Sequence, residues 1–323
     1  MKLVTFERGG RAVVGAVTGP DNDVVVDLHL AGERFGRVVP AEILSLLEQG
    51  DRALDAAREV VERVDLSDPA CHSLRSVRLL APIPRPPSMR DAYAFRQHVE
   101  TSRRNRGLGM IPEFDQFPVF YFTNHQAVYG PGDVPVLPLH LERLDFELEC
   151  AMVVGKGGRN LRAERADDHV YGLMVMNDLS ARGLQMEEMK LSLGPAKGKD
   201  FGTVLGPWLV TLDELQDRRR GGPQGDRFDL AMTARVNGVQ VSSDNLANMT
   251  YSFARILERA SYGATLYPGD VIGSGTCGTG CFLELNGSGV TKDQWLSVGD
   301  RVELSVERLG TLETRIVRED NHG

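Results

Sequence analysis

The sequence has no long hydrophobic run, since no stretch approaches the roughly 20 apolar residues that a membrane helix needs. It begins Met1-Lys-Leu-Val-Thr-Phe-Glu-Arg8, with charges where a signal peptide has its apolar core, so we expect a cytoplasmic protein without a membrane partner. Cysteine is scarce, and its few copies are scattered over 323 residues. This excludes a disulfide framework and indicates reduced thiols at Cys71, Cys150, Cys277 and Cys281.

Basic residues are not in excess either. The chain has 37 Lys and Arg against 45 Asp and Glu, a formal net charge of −8, with the two signs interleaved. Nucleic acid binding needs clustered Lys and Arg, so we expect no nucleic acid partner. The remaining composition, 41% hydrophobic and 25% charged, is that of an ordinary globular protein, which favours small-molecule chemistry.

The first part of the chain has the pattern of a small β-rich domain. Short β-rich runs are separated by Gly-Gly and Gly-Pro-Asp-Asn turn sequences, which predicts a β meander over residues 2–6, 12–17 and 24–29. Helical periodicity over 40–64, broken near Gly50, predicts two short helices. Because residues 79–87 are proline-rich, we place a linker there. The prediction is an N-terminal domain over 1–80 and a catalytic domain over 81–323.

The second part has more predicted strands than helices. Predicted strands lie at 147–154, 171–177, 208–211, 230–236, 271–273, 281–285 and 301–306. Predicted helices lie at 90–104, within 180–191 and at 250–260. Strands and helices therefore do not alternate as a doubly wound sheet requires, and we predict a mixed α/β fold that is mostly β.

One glycine-rich segment matches the dinucleotide pattern G-x-G-x-x-G literally, at residues 273–278. That fingerprint must open a helix, whereas here a strand is predicted to follow at 281–285. We therefore interpret it as a glycine turn. Cys277 and Cys281 have loose metal-ligand spacing, but buried or glycine-loop thiols are the commoner explanation.

Acidic residues alternate with apolar ones in the segment 144–154. On a strand, Asp145, Glu147 and Glu149 would point to one face, where they stay ionised only if they face solvent or share a cation. A further acid, Asp178, ends the apolar run 171–178 and needs a partner. The all-oxygen set Glu147, Glu149 and Asp178 suits Mg²⁺, Ca²⁺ or Mn²⁺. A solvated strand face is the alternative.

Five ordered segments within residues 80–310 resemble the fumarylacetoacetate hydrolase family. Leu-Asp-Phe-Glu-Leu-Glu at 144–149 resembles its paired-glutamate metal strand, and Met-Asn-Asp-Leu-Ser-Ala-Arg at 176–182 resembles its third-ligand motif. Segments 91–98, 193–202 and 268–276 are similar too. The resemblance implies a β-roll C-terminal domain and a homodimer, and the spacing from Tyr93 to His98 resembles the fumarylacetoacetase type more than the short acylpyruvase type.

Carried over to this chain, the resemblance implies a set of site residues. A divalent cation, Mg²⁺, Ca²⁺ or Mn²⁺, would be bound by Asp91, Glu147, Glu149 and Asp178. His98 would be the general base, oriented by Glu284, with Glu100 a local rival for that role. Groups that receive substrate carboxylate and oxyanion charge would be Arg182, Gln185 and Lys199. Further substrate contacts would come from Tyr93, Tyr121 and Thr276.

The implied reaction is hydrolysis of a carbon–carbon bond in a 1,3-dicarbonyl substrate of the fumarylacetoacetate or acylpyruvate kind, as in the catabolism of aromatic compounds. Decarboxylation, hydration or dehydration, and isomerisation of a 2-oxo acid are alternatives, because all of them pass through an enolate. The non-enzymatic alternative is a β-rich ligand-binding module whose acidic strand is solvated and whose histidine is inert.

Overall fold

Tight turns build the first part of the chain in the computed structural model, which describes residues 1–319. Gly9 and Gly10 have φ values of 58° and 74° where the first two strands join, a conformation that glycine adopts without a steric penalty. The predicted meander and the two helices within 40–64 are confirmed. The elements are β1 (Lys2–Arg8), β2 (Arg11–Thr18), β3 (Val24–Asp27), α1 (Leu28–Arg34), α2 (Ile43–Gln49), α3 (Asp51–Arg63) and β4 (Cys71–Ser73).

The middle of the chain supplies the strands that carry the acidic residues. Its elements are β5 (Met89–Ala92), α4 (Arg96–Arg104), β6 (Phe120–Phe122), β7 (Val128–Tyr129), β8 (Gly132–Val136), β9 (Leu144–Asp145), β10 (Leu148–Val154), β11 (Gly158–Arg159), α5 (Ala163–Ala166), β12 (Val170–Asp178), β13 (Ser180–Ala181), α6 (Arg182–Met189) and β14 (Thr203–Thr211). Strand β10 is buried along its whole length, which explains why its second half is apolar on both faces.

The last part adds most of a second sheet and two helices. Its elements are β15 (Arg219–Arg220), β16 (Arg227–Phe228), β17 (Ala231–Val236), β18 (Val239–Asn245), α7 (Phe253–Ala260), β19 (Thr265–Leu266), β20 (Val271–Gly273), α8 (Phe282–Gly287), β21 (Arg301–Val306) and β22 (Gly310–Arg318).

Two sheets organise the fold. The large one has 11 strands in the order β4-β3-β2-β1-β14-β12-β10-β20-β5-β6, with β7 beside β14. The second has five, in the order β18-β17-β21-β22-β8. One face of β10, with Cys150 and Met152, packs in the same core as the five-stranded sheet. The opposite face, with Ala151 and Val153, packs in a core shared with α2 and α3. Glu149 lies on this second face, at the end of the strand.

The mixed α/β, mostly β fold class is confirmed. Strand β1 also pairs with β14, with Leu3 opposite Leu209, so the meander continues the large sheet. The domain boundary near residue 80 stays a prediction. Within residues 1–319, no helix has the length and apolar character needed to cross a bilayer.

Two predicted elements differ in the structure. The helix predicted over 90–104 begins only at Arg96, because residues 89–92 form β5, which pairs in parallel with β20. The strand predicted over 281–285 is wrong, since residues 282–287 form α8. A distant carboxylate, that of Asp145, accepts hydrogen bonds from the backbone N–H groups of Phe282 and Leu283 at 2.7 and 3.0 Å. The Asp145 carboxylate therefore caps the start of α8. This helix has only six residues, so its sequence periodicity could not be distinguished from strand alternation.

Candidate active site

Four carboxylates meet where neighbouring strands of the large sheet end. Asp91 lies on β5, Glu149 on β10, Asp178 at the end of β12, and Glu147 directly before β10. One carboxylate oxygen from each residue lies within 4.8 Å of the others, and all four side chains are buried. The solvated strand face considered from the sequence is therefore wrong. The structure brings together all four residues that were predicted as metal ligands.

Gly273 on β20 leaves the room in which these carboxylates meet. A Cβ atom at this position would lie 2.4 Å from Asp91 Oδ1 and 2.9 Å from Glu149 Oε2. The next glycine also serves the site, because the backbone N–H of Gly275 donates to Asp91 Oδ1 at 3.1 Å. The glycine segment 273–278 thus contacts the acidic cluster. A helix, α8, and not the predicted strand follows it, so the reason for which the dinucleotide pattern was set aside is wrong.

The cluster holds protons that a cation would displace and unpaired oxygens that a cation would bind. Within residues 1–319, the buried atoms Glu149 Oε2 and Asp178 Oδ1 accept no hydrogen bond. Burial, together with the Asp178 charge, raises the pKa of Asp91 to about 8. Burial and the neighbouring carboxylates likewise raise the pKa of Glu149 well above its ordinary value. An all-oxygen donor set with unpaired oxygens fits a hard divalent cation such as Mg²⁺, Mn²⁺ or Ca²⁺.

Two buried basic side chains partly balance this negative charge. Lys199 Nζ donates to Glu147 Oε2 at 2.5 Å and to Asp178 Oδ2 at 2.6 Å, and Arg182 Nη2 donates to Glu147 Oε1 at 2.7 Å. Burial alone would raise the pKa of Glu147, but the charges of Lys199 and Arg182 outweigh it and hold that pKa below its usual range. Burial alone would lower the pKa of Lys199, but the charges of Asp178 and Glu147 outweigh burial and raise that pKa above its ordinary value. Lys199 therefore remains an ammonium.

Asp145 is a buried neighbour of the site that was not among the predicted site residues. Arg182 donates to Asp145 Oδ2 from both Nε (2.9 Å) and Nη2 (2.8 Å), and the same carboxylate caps α8. Asp145 was expected on one face with Glu147 and Glu149. Phe146, Leu148 and Cys150 pack in one hydrophobic core, and Arg182 Nη2 contacts both Asp145 and Glu147. The expected alternation therefore holds, although residues 146 and 147 lie between β9 and β10.

His98 and Glu284 form a buried pair beside the carboxylates. His98 Nδ1 lies 2.7 Å from Glu284 Oε2, and these side chains come from α4 and α8. Since Nδ1 faces a carboxylate, it carries the proton, and Nε2 is left with a lone pair. The rival Glu100 is exposed, and its nearest charged partner is Arg96 at 3.9 Å. The structure therefore places Glu284, and not Glu100, against His98, while the catalytic role of each stays a prediction.

A cavity of about 680 Å³ connects these groups. Its inner wall holds most of the predicted site residues, namely Asp91, Tyr93, His98, Tyr121, Glu147, Arg182, Gln185, Lys199 and Thr276. Tyr121 donates to Asp178 Oδ2 at 2.5 Å, and Thr276 donates to Glu149 Oε1 at 3.4 Å, so both contact carboxylates directly. Gln185 accepts from Arg182 at 3.0 Å.

The outer wall of the cavity has residues that were not among the predicted site residues. Apolar side chains here include Ile111, Val119, Met186, Met189 and Trp295, and the basic ones are Arg103, Arg106 and Arg143. No local pattern could have identified them, because they come from separate segments that only the fold brings together.

Comparison with known proteins agrees with this geometry. A family model described as fumarylacetoacetate (FAA) hydrolase C-terminal matches residues 88–317. Oxaloacetate tautomerase YisK of Bacillus subtilis is 29% identical over 98% of this chain and 100% of its own length. Mitochondrial oxaloacetate tautomerase FAHD2A of Bos taurus is 30% identical over 98% of this chain and 92% of its own length.

Two solved structures show how far the likeness extends along the chain. A fumarylacetoacetate hydrolase from Exiguobacterium antarcticum superposes with a TM-score of 0.72 at 27% identity, covering 99% of this chain and 100% of its own. Fumarylpyruvate hydrolase from Pseudomonas aeruginosa, in complex with Mn²⁺ and pyruvate, has a TM-score of 0.57 at 22% identity over 72% of this chain and 90% of its own. The second likeness supports the fold alone.

Proposed function

Because the chain belongs to the fumarylacetoacetate hydrolase family, we propose that it is a divalent-cation-dependent enzyme that interconverts the keto and enol forms of oxaloacetate or a related 2-oxo acid. The observation that carries the proposal is the buried His98–Glu284 pair, which adjoins the same cavity as the carboxylates. Relatives that span 98% of the chain are named for this reaction.

His98 is suited to move the proton. Its Nε2 lone pair takes the proton from the carbon between the carbonyls, and the electron pair of that C–H bond forms the enol double bond. The carbonyl π electrons move to the oxygen, which then takes a proton from the imidazolium or from water. Glu284 keeps Nδ1 protonated and stabilises the imidazolium that forms. A positioned general base of this kind contributes roughly 10²–10⁴-fold to the rate. The reverse steps return the keto form.

The charged residues of the inner wall serve the developing oxyanion. A divalent cation at the four carboxylates would supply Lewis acidity, which makes the proton next to a carbonyl more acidic. Lys199 uses two of its three N–H donors on Glu147 and Asp178, and the remaining donor is free for a substrate oxygen in the cavity. Arg182 holds Glu147 in place and adds positive charge.

Hydrolysis of a carbon–carbon bond is the second candidate, and the outer part of the cavity favours it. A volume of about 680 Å³ suits a ligand larger than a four-carbon acid. Arg103 and Arg106 donate to the backbone carbonyls of Gly109 and Ser102 at 2.5 and 3.1 Å, which leaves further N–H donors for a distal carboxylate. In that reaction His98 would take its proton from water, and the leaving fragment would be an enolate.

The two candidates are separated by turnover of a substrate panel with EDTA-treated protein, before and after Mg²⁺, Mn²⁺ or Ca²⁺ is restored. Decay of the enol absorbance of oxaloacetate only with cation supports tautomerisation. Acetylpyruvate or fumarylpyruvate cleaved to pyruvate supports hydrolysis, and carbon dioxide release from oxaloacetate indicates decarboxylation. A turnover rate that is unchanged by EDTA and by a His98→Asn substitution would contradict the proposal. A homodimer and a cytoplasmic location remain predictions from the sequence.

A further inference from the structure

A buried thiol accompanies the proton-transfer pair, and neither candidate reaction uses it. Cys281 directly precedes α8 and is fully buried, as is nearly all of His98 and Glu284. One potential ligand atom from each of these three residues lies within 4.8 Å of the other two. We propose that His98, Cys281 and Glu284 form a second metal site, for Zn²⁺, and that zinc bound there inhibits the enzyme by occupying His98.

The donor chemistry of this site differs from that of the four carboxylates. A thiolate, an imidazole and a carboxylate are the ligands that zinc takes, whereas an all-oxygen set favours Mg²⁺, Mn²⁺ or Ca²⁺. Zinc bonds of roughly 2.0–2.3 Å place tetrahedral ligand atoms roughly 3.3–3.8 Å apart. The three residues meet this with small movements, although the 2.7 Å contact between His98 Nδ1 and Glu284 Oε2 must open.

Access from the cavity supports the assignment. Of the three residues, His98 lines the cavity, so a cation would enter from the His98 side, and the fourth zinc position would face solvent or substrate there. Burial and the Asp145 charge keep the pKa of Cys281 well above its ordinary value, so the metal-free protein holds a thiol. Binding of zinc therefore releases that proton, as is usual for thiol ligands.

The inhibition, but not the binding, rests on the proposed function. Zinc bound at Nδ1 would leave the imidazole proton on Nε2, so the lone pair that takes the substrate proton is lost together with the Glu284 acceptor. Proton transfer then stops while the carboxylates keep their own cation. We therefore expect that excess Mg²⁺ does not relieve the inhibition. Zinc that merely replaced Mg²⁺ at the carboxylates would compete with it, so that raising Mg²⁺ would raise the Zn²⁺ concentration needed for half-inhibition.

The test uses the whole protein with excess Mg²⁺ and buffered free Zn²⁺. Bound zinc is measured by equilibrium dialysis, and Co²⁺ replaces Zn²⁺ in a parallel titration that shows thiolate ligation as a near-ultraviolet charge-transfer band. The variants are Cys281→Ala and Cys281→Ser, and the matched control is Cys277→Ala, since Cys277 is equally buried but outside the three-residue group. The enolisation rate of each variant is expressed relative to its own zinc-free rate.

We expect the parent and Cys277→Ala to bind zinc and show the cobalt band, and both Cys281 variants to lose the band and bind at least about tenfold more weakly. Zinc should inhibit only the first two proteins at the same free concentration. Equal zinc binding in the Cys281 variants would overturn the site. Thiol-dependent binding without inhibition would overturn the inhibitory role. If no protein enolises substrate with Mg²⁺, yet zinc binding still needs Cys281, the proposed function fails and the site stands.

Discussion

The four-carboxylate cluster should make cation binding strongly dependent on pH. In the cation-free protein Asp91 has a pKa of about 8, against an ordinary value of 3.8. The protonated Asp91 carboxyl therefore contributes to the free energy of unfolding, and this contribution is fully present below about pH 4. It is lost as the pH rises through 8, where the buried carboxyl ionises. A bound divalent cation removes this cost, because it stabilises the ionised form. Mg²⁺ should thus stabilise the protein more at pH 8 than at pH 6.

The size of the effect follows from the proton that the cation must displace. With a pKa of about 8, Asp91 is half-protonated at pH 8 and almost fully protonated at pH 6. The stabilisation by a fixed Mg²⁺ concentration should then be smaller at pH 6 by about 2 kcal/mol for one proton released. For a chain of this length that corresponds to about 4 °C in the thermal unfolding midpoint. Release of a second proton from Glu149 would enlarge the difference.

Thermal unfolding with EDTA and with excess Mg²⁺, at pH 6, 7 and 8, measures this directly. In Asp91→Asn the pH dependence of the Mg²⁺ effect should become smaller, and what remains should come from the Glu149 proton. Asp167 provides a matched control, because burial raises its pKa to about 6 and it lies outside the cluster. Asp167→Asn should leave the pH dependence of the Mg²⁺ effect intact. An Mg²⁺ effect that is equal at pH 6 and pH 8 in the parent protein would refute the reasoning.

Three further predictions concern single side chains. Gly273→Ala places a methyl group against two carboxylates and should weaken Mg²⁺ binding at least about tenfold in equilibrium dialysis. Unchanged affinity would contradict the role of Gly273 in leaving space for the carboxylates. Glu284→Gln should lower kcat by about 10²-fold or more with little change in KM, whereas the exposed Glu100→Gln should match the parent in steady-state kinetics. Asp145→Asn leaves buried Arg182 under-compensated and should cost about 3–5 kcal/mol in urea unfolding, and a loss below about 1 kcal/mol would contradict this.

The sequence predicted the acidic cluster well where local pattern was enough. Alternation and an apolar run that ends in an acid identified Glu147, Glu149 and Asp178, because buried strands leave few places for a carboxylate. Asp91 came only from the family resemblance. Its segment has helical periodicity, and its strand exists because β5 pairs with β20, which lies about 180 residues later in the chain.

The proton-transfer pair could not be derived from local pattern at all. His98 and Glu284 are 186 residues apart and meet only because α4 and α8 lie beside the same cavity. The basic residues show the same limit. Lys199 and Arg182 were expected to receive substrate charge, yet each donates first to the acidic cluster, a contact that depends on burial and not on local composition.

Asp145 shows how one unpredicted contact joins the two halves of the site. Strand alternation placed it on the face of Glu147, but its contact with the start of α8 could not be predicted, because that segment lies 137 residues later in the chain. There it fixes the helix that carries Glu284, and through Arg182 it also fixes Glu147. The cation site and the proton-transfer pair therefore share one buried anchor. A change at Asp145 should disturb both, whereas a change at Glu284 should spare Mg²⁺ binding at the four carboxylates.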